Sequence, residues 1–265
     1  MRPPPVPLGS TLPAGYRLPD HGPAGVGNVF VPSGGYTGDG TTIYTPPGGG
    51  RRRVGLMATR SALETQLAVV AGFDNPRADL EQYPTPPGLA AHVVHTADLN
   101  GDIEDRVVVD LGTGTGMLAL GAALRGPDGV VGVDVDRSAL TTAARNRRRV
   151  GTRTPVGWAC ADATDAPLCP PDPTTVVMNP PFGAQDGNEH ADRAFLATAA
   201  RISEVSYSVH NAGSEGFVEA FAADNGGTVT HAFRATLDID RQFEFHDADT
   251  AAVDAEVYRI EWAGT

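Results

Sequence analysis

The sequence predicts an α/β fold, a mostly parallel, doubly wound sheet covered by helices, and three observations predict it. Short valine-rich runs alternate with helical patterns from Glu81 onward. Acids stand at or just past three successive strand ends, at Asp110, Asp134 and Asp162. A glycine-rich turn, Gly112-Thr113-Gly114-Thr115-Gly116, joins the first buried run to the helix after it.

The elements follow in order. Residues 1–56 are rich in proline and glycine and lack a periodic apolar pattern, so a disordered extension is expected there. Its Arg51-Arg52-Arg53 cluster reads as a solvated linker or a small RNA-binding tail, and Met57 is a second candidate start. Thr59–Val70 carries Leu63, Leu67 and Val70 at helical spacing. Pro86 and Pro87 suit a first helical turn, where a missing N–H costs nothing, and lead Leu89, Val93 and Val94 into the core. Arg106–Leu111 is the first expected strand, Gly116–Leu124 its helix, Val130–Asp134 the second strand and Ser138–Arg149 the next helix. Val156–Cys160 and Thr175–Met178 supply strands three and four. Helix Ala191–Ala200, strand Val205–His210 and helix Glu215–Ala223 follow, then two long strands over Gly227–Thr236 and Ala252–Trp262. An antiparallel pair joined by a broad loop at this position fits a seven-stranded class I methyltransferase (Rossmann-like) fold better than a nicotinamide-binding domain. Residues 57–265 therefore read as one catalytic domain.

Composition narrows the setting. All 20 basic residues are arginine and the net charge is −12, the style of a halophile that balances salt with salt. Such acidity ordinarily repels a polyanion, but at molar salt the Debye length falls to about 3 Å and only close contacts count. Cys160 and Cys169 offer neither a disulfide framework nor a zinc site. His92 and His95 share a helix with no third ligand, so no metal is expected. No apolar run reaches membrane-spanning length and no signal core is present, which predicts a cytoplasmic protein.

The glycine turn and the acids suit a nucleotide-like cofactor. Gly112, Gly114 and Gly116 let the backbone turn sharply near a ligand, and the helix behind them offers N–H groups to a carboxylate. Asp110 is placed to meet a positively charged α-amino group, Asp134 to accept ribose hydroxyls and Asp162 to accept an adenine amino hydrogen. For Asp134 or Asp162 singly, a helix cap or turn is the simpler reading.

Asn179-Pro180-Pro181-Phe182 closes the fourth strand and supplies the chemistry. An exocyclic amine on adenine is a weak nucleophile, because its lone pair is delocalised into the ring. The Asn179 side-chain oxygen and the Pro180 carbonyl can each accept one N–H, leaving the lone pair free, while Pro181 stiffens the turn and Phe182 stacks on the base. Together with the glycine turn this implies an S-adenosylmethionine-dependent amino methyltransferase. His210 and His246, near strand ends, can face the substrate pocket but read more simply as packing or polar lining, and Phe243 and Phe245 read as core rather than base-stacking platforms.

The chain resembles the methyltransferase-like protein 5 family, N6-adenosine methyltransferases of small-subunit ribosomal RNA, and their archaeal relatives. The resemblance runs from Leu63 to Trp262 and is carried by Leu80-Glu81-Gln82-Tyr83-Pro84-Thr85, the glycine turn after Asp110, Gly132-Val133-Asp134-Val135-Asp136, Met178-Asn179-Pro180-Pro181-Phe182-Gly183, Ala194-Phe195-Leu196, Tyr207-Ser208-Val209-His210 and Phe245-His246. It implies that Gln82, Tyr83 and Thr85 close over the methionine end of the cofactor and that Asn179–Phe182 hold the target adenine. It also implies a heterodimer partner, a small zinc-binding methyltransferase activator docked on an edge strand. Acids around Asp247 and Asp249 replace the basic residues of eukaryotic relatives, and the extension has no counterpart in the family. Two other functions compete: a glutamine N5-methyltransferase acting on a translation factor, which normally ends the tetrad with tyrosine, and a non-catalytic ribosome-assembly factor that binds RNA.

Overall fold

A computed structural model describes residues 59–171, 173–181, 191–240 and 250–263; the proline- and glycine-rich extension lies outside them. The helices are α1 (Arg60–Leu67), α2 (Pro87–Leu99), α3 (Met117–Ala123), α4 (Arg137–Val150), α5 (Ala191–Ile202) and α6 (Glu215–Asp224). The strands are β1 (Val107–Leu111), β2 (Gly129–Asp134), β3 (Val156–Cys160), β4 (Thr174–Met178), β5 (Val205–Asn211), β6 (Gly227–Asp240) and β7 (Thr250–Trp262). They form one seven-stranded sheet in the order β3-β2-β1-β4-β5-β7-β6, with only β7 antiparallel to its neighbours β5 and β6.

Strands β1, β2 and β4 read as near-continuous apolar runs because both faces of the sheet are covered. Alternate residues feed different cores: Val108, Val130, Val177 and Tyr207 pack with α1, α2 and α3, while Val109, Val131, Met178 and Ile260 pack with α5 and α6. Several ends are set by local chemistry. Thr59 Oγ1 accepts from Ala62 N at the start of α1, Asp136 Oδ1 accepts from Ser138 N at the start of α4, and Gly151 ends α4 in a left-handed conformation at φ 71°. A buried cluster ties the late strands to the loop before β1. Arg259 Nε donates to Asp102 Oδ2 at 2.7 Å, and the Tyr207 hydroxyl donates to the same oxygen at 2.6 Å. Burial and then the Asp102 carboxylate push the Tyr207 phenol up, and the Asp102 bond raises the Arg259 guanidinium.

Three details differ from expectation. Helix α1 stops at Leu67, short of Val70, and single 3-10 turns occur at Ala78–Leu80 and Ala163–Asp165. Strands β6 and β7 run on to Asp240 and back from Thr250, because their backbone ladder continues past the apolar pattern. The expected antiparallel pairing of the last two strands is present, with β7 inserted between β5 and β6. Among the described residues, no helix is long and apolar enough to cross a membrane.

Candidate active site

A cavity of about 300 Å³ opens at the carboxyl ends of β1, β2, β3 and β4, where open α/β sheets take ligands. Strand β1 leads into the glycine turn, whose Gly112, Gly114 and Gly116 have φ of 68°, 52° and 90°, conformations that only glycine adopts without strain. A Cβ on Gly112 would stand 3.0 Å from Phe195, and one on Gly114 2.9 Å from Phe73, so both glycines also make room for the cavity's aromatic walls. Asp134 ends β2 at the wall. Its Oδ2 accepts from Gly114 N and its Oδ1 from Asp136 N, each at 2.8 Å, while burial pushes its pKa up. Asp162 Oδ1 accepts from Thr164 N and Thr164 Oγ1, so it caps the short 3-10 turn and lines the cavity at once.

The connection between α1 and α2, residues 68–86, lies over this edge as a strap and contributes Phe73 and residues 80–85 to the wall. Helix α4 holds it at three places. Asn146, fully buried, accepts from Ala71 N at 3.0 Å and donates to Ala71 O at 2.9 Å and to Thr115 O at 3.0 Å, joining strap, glycine turn and helix through one amide. Arg145 pairs with Asp74. Gln82 accepts from Arg77 N at 2.9 Å and donates to Asp136 Oδ2 at 2.8 Å. Glu81 enables this last contact by turning left-handed at φ 48°.

At the end of β4, Asn179 Nδ2 donates to Thr85 Oγ1 at 3.0 Å, whereas its buried Oδ1 has no partner among the described residues. With Nδ2 on Thr85, the amide leaves its oxygen as the open acceptor. Pro181 stands in the wall beside it; Pro180 is buried and outside the wall.

Residues 92–205 match the family described as the methyltransferase small domain. The chain is 33% identical over 211 residues to the rRNA N(6)-adenosine-methyltransferase Mettl5 of Drosophila melanogaster, covering 75% of this chain and 94% of that one. The chain belongs to the methyltransferase-like protein 5 family. An uncharacterized protein of Methanocaldococcus jannaschii is 35% identical over 78% of this chain and 96% of its own length. A crystal structure from Pyrococcus horikoshii superposes with a TM-score of 0.68 at 36% identity, covering 77% of this chain and 98% of that one.

Within this methyltransferase-like protein 5 chain, the cavity brings together Gln82, Tyr83, Thr85, Gly112, Gly114, Asp134, Asp162, Asn179 and Pro181. Three residues stand elsewhere than expected. Asp110 is buried behind the wall, because its Oδ2 accepts from Thr113 Oγ1 at 2.6 Å and from Ala119 N at 2.9 Å; it fastens the glycine turn to α3. The Ala119 N–H, one of the donors in the first turn of α3, is thereby used. Burial raises the Asp110 carboxyl to about 7, and its Oδ1 has no hydrogen-bond partner among the described residues. Gly116 packs rather than lines, since a Cβ there would meet Trp158 at 3.0 Å and Ala143 at 3.2 Å. Pro180 is the third. Phe182, Phe243, Phe245 and His246 lie outside the described residues.

His210 is packing, as expected: buried, bonded to Ser208 Oγ at 2.9 Å, edge-on to Tyr258, and lowered by burial to about 4. His92 stacks on Phe233 with ring centroids 4.1 Å apart, and no group of three potential metal ligands occurs among the described residues. Sequence reading missed Phe73 and Asn146. Asn146 does carry a signal: it is a polar residue on the face of α4 that buries Ala139, Leu140 and Ala143.

Proposed function

We propose that this protein transfers a methyl group from S-adenosylmethionine to the N6 amine of an adenosine in ribosomal RNA, of the small subunit. The observation that carries this reading is the half-tied amide of Asn179, with one end on Thr85 and its buried oxygen unpartnered at the cavity, in a chain that nearly spans relatives named for rRNA adenosine methylation.

The cavity suits the cofactor. Asp134 at the end of β2 is placed for ribose hydroxyls, with Asp162 and Val135 beside an adenine. Gln82, Tyr83, Thr85 and the glycine turn would hold the amino-acid end, with Asp110 setting the shape of that turn from behind. Bound there, S-adenosylmethionine supplies an electrophilic methyl group on a cationic sulfur. Asn179 Oδ1 accepts one N–H of the target amine, draws it out of conjugation with the ring and orients its lone pair. Phe182 is the stacking partner of the base in this scheme. The proton leaves to water after transfer, so no strong base is needed.

In this proposal residues 57–265 form the methyltransferase domain, the protein works in the cytoplasm, and a small zinc-binding activator pairs with an edge of the sheet, where β3 and β6 are the two edge strands. The test is nucleoside mass spectrometry of small-subunit rRNA from wild type and an Asn179→Ala strain. Loss of N6-methyladenosine at one mapped site is the expected result; unchanged N6-methyladenosine would refute the assignment.

A further inference from the structure

The charge of this chain is unevenly laid out. From Arg137 to Ala161 there are six arginines and no acid, a stretch of +6 in a chain of −12. This stretch is helix α4, the turn after it and the edge strand β3. Arg148, Arg149 and Arg153 are exposed, and Arg147 is held against β3 by a bond from its Nη1 to Val156 O at 3.3 Å. None of these four is in an ion pair among the described residues. Arg77, Arg106, Arg125, Arg145, Arg201, Arg234 and Arg259 each have a carboxylate partner, whereas Arg60, Arg137 and Arg193, also without one among the described residues, stand singly rather than in a group.

With 32 acids available to 20 arginines, ion-pair partners are in surplus, so a group of unpaired guanidiniums marks a place from which acids are absent. Arginines in a last helical turn also favour the helix dipole, but that accounts neither for Arg153, beyond the capping Gly151, nor for the acid-free strand that follows. Guanidinium groups present forked donors matched to phosphate oxygens. Helix α4 begins at the cavity, where Asp136 holds Gln82, and its fourteen residues carry the cluster roughly 20 Å away.

We propose that the C-terminal turn of α4 and the turn leading into β3 bind the phosphate backbone of the RNA flanking the target, as a second contact remote from the pocket. This rests on the ribosomal RNA reading above. It also answers how an acidic chain holds RNA: the cations are few but grouped.

The test compares wild type with the triple variant Arg148→Gln/Arg149→Gln/Arg153→Gln on two RNAs carrying the mapped adenosine, a folded rRNA fragment and a short single-stranded oligonucleotide that reaches only the pocket. On the folded fragment KM should rise about tenfold, and the slope of log affinity against log salt should flatten by about 2–3, as three phosphate contacts are lost. On the oligonucleotide kcat/KM should be unchanged. Equal behaviour of variant and wild type on the folded fragment would overturn the proposal and leave the patch to an acidic protein surface. An equal loss on both RNAs would also overturn it, because the damage would then lie in the pocket. Wild type that methylates neither RNA would take down the ribosomal RNA reading itself, and this proposal with it.

Discussion

At the strap end of the pocket two amides have both their ends bonded within the chain, whereas at the β4 end one amide is left half open. Asn146 and Gln82 use both ends of their amides within the chain, holding residues 68–85 against α4. Asn179 uses only one end, on Thr85, and keeps a buried carbonyl oxygen without a donor. An amide with all its bonds made determines shape. An amide with one bond missing in a buried place is costly until a ligand supplies the donor, so it determines chemistry.

The sharpest way to break this contrast is Asn179→Ala. Methyl transfer should fall by about 10³-fold, the scale for losing a preorganised acceptor, with cofactor affinity by calorimetry within a few-fold of wild type. Equal loss of binding and rate would show that both amides serve shape. Asn146→Leu should do the reverse. With Ala71 and Thr115 left unpaired, it should cost about 2–4 kcal/mol of stability in urea unfolding and weaken cofactor binding at least tenfold, with kcat at saturation little changed. A smaller effect is expected at the link between the two ends. Thr85→Val frees the Asn179 amide to rotate and should lower kcat about tenfold, while Thr85→Ser restores it.

A further contrast lies in the pH dependence of stability. Asp110 has its carboxyl raised from 3.8 to about 7, so the folded state binds more protons than the unfolded chain across that window, and its contribution to stability declines as pH rises through it. His210, lowered from 6.5 to about 4, has the opposite sign: the unfolded chain binds the extra proton, and stability declines as pH falls through that window. Unfolding free energies of Asp110→Asn and His210→Gln, each differenced against wild type from pH 4 to 8, should therefore slope in opposite directions. Parallel slopes would mean that burial does not set these two groups.

How much of this was legible in the sequence follows the same division. Strands β1 to β4 were readable because burial on both faces writes them as largely apolar runs, and the strand-end residues Asp134, Asp162 and Asn179 were readable because the topology fixes where strand ends go. The strap's fastening was not, since Asn146 finds its backbone partner Ala71 75 positions away and no spacing rule records that pairing. Asp110 misled for a related reason. A strand-end acid can face a ligand or turn inward to cap its own helix, and the hydroxyl of Thr113 with the N–H of Ala119 decided for the second.

Strand β7 follows β5 and β6 in the chain yet lies between them. During synthesis the edge of β5 must stay unpaired until β7 is made, with Asp102 and Tyr207 waiting in the nascent core for Arg259, which lies 157 positions beyond Asp102. Closing that seam is a long-range event, slow by nature, and until it happens a bare strand edge is open to pairing with other chains. The vulnerable moment in this protein's life is thus the interval in which the ribosome has delivered β5 and β6 but not the strand that separates them.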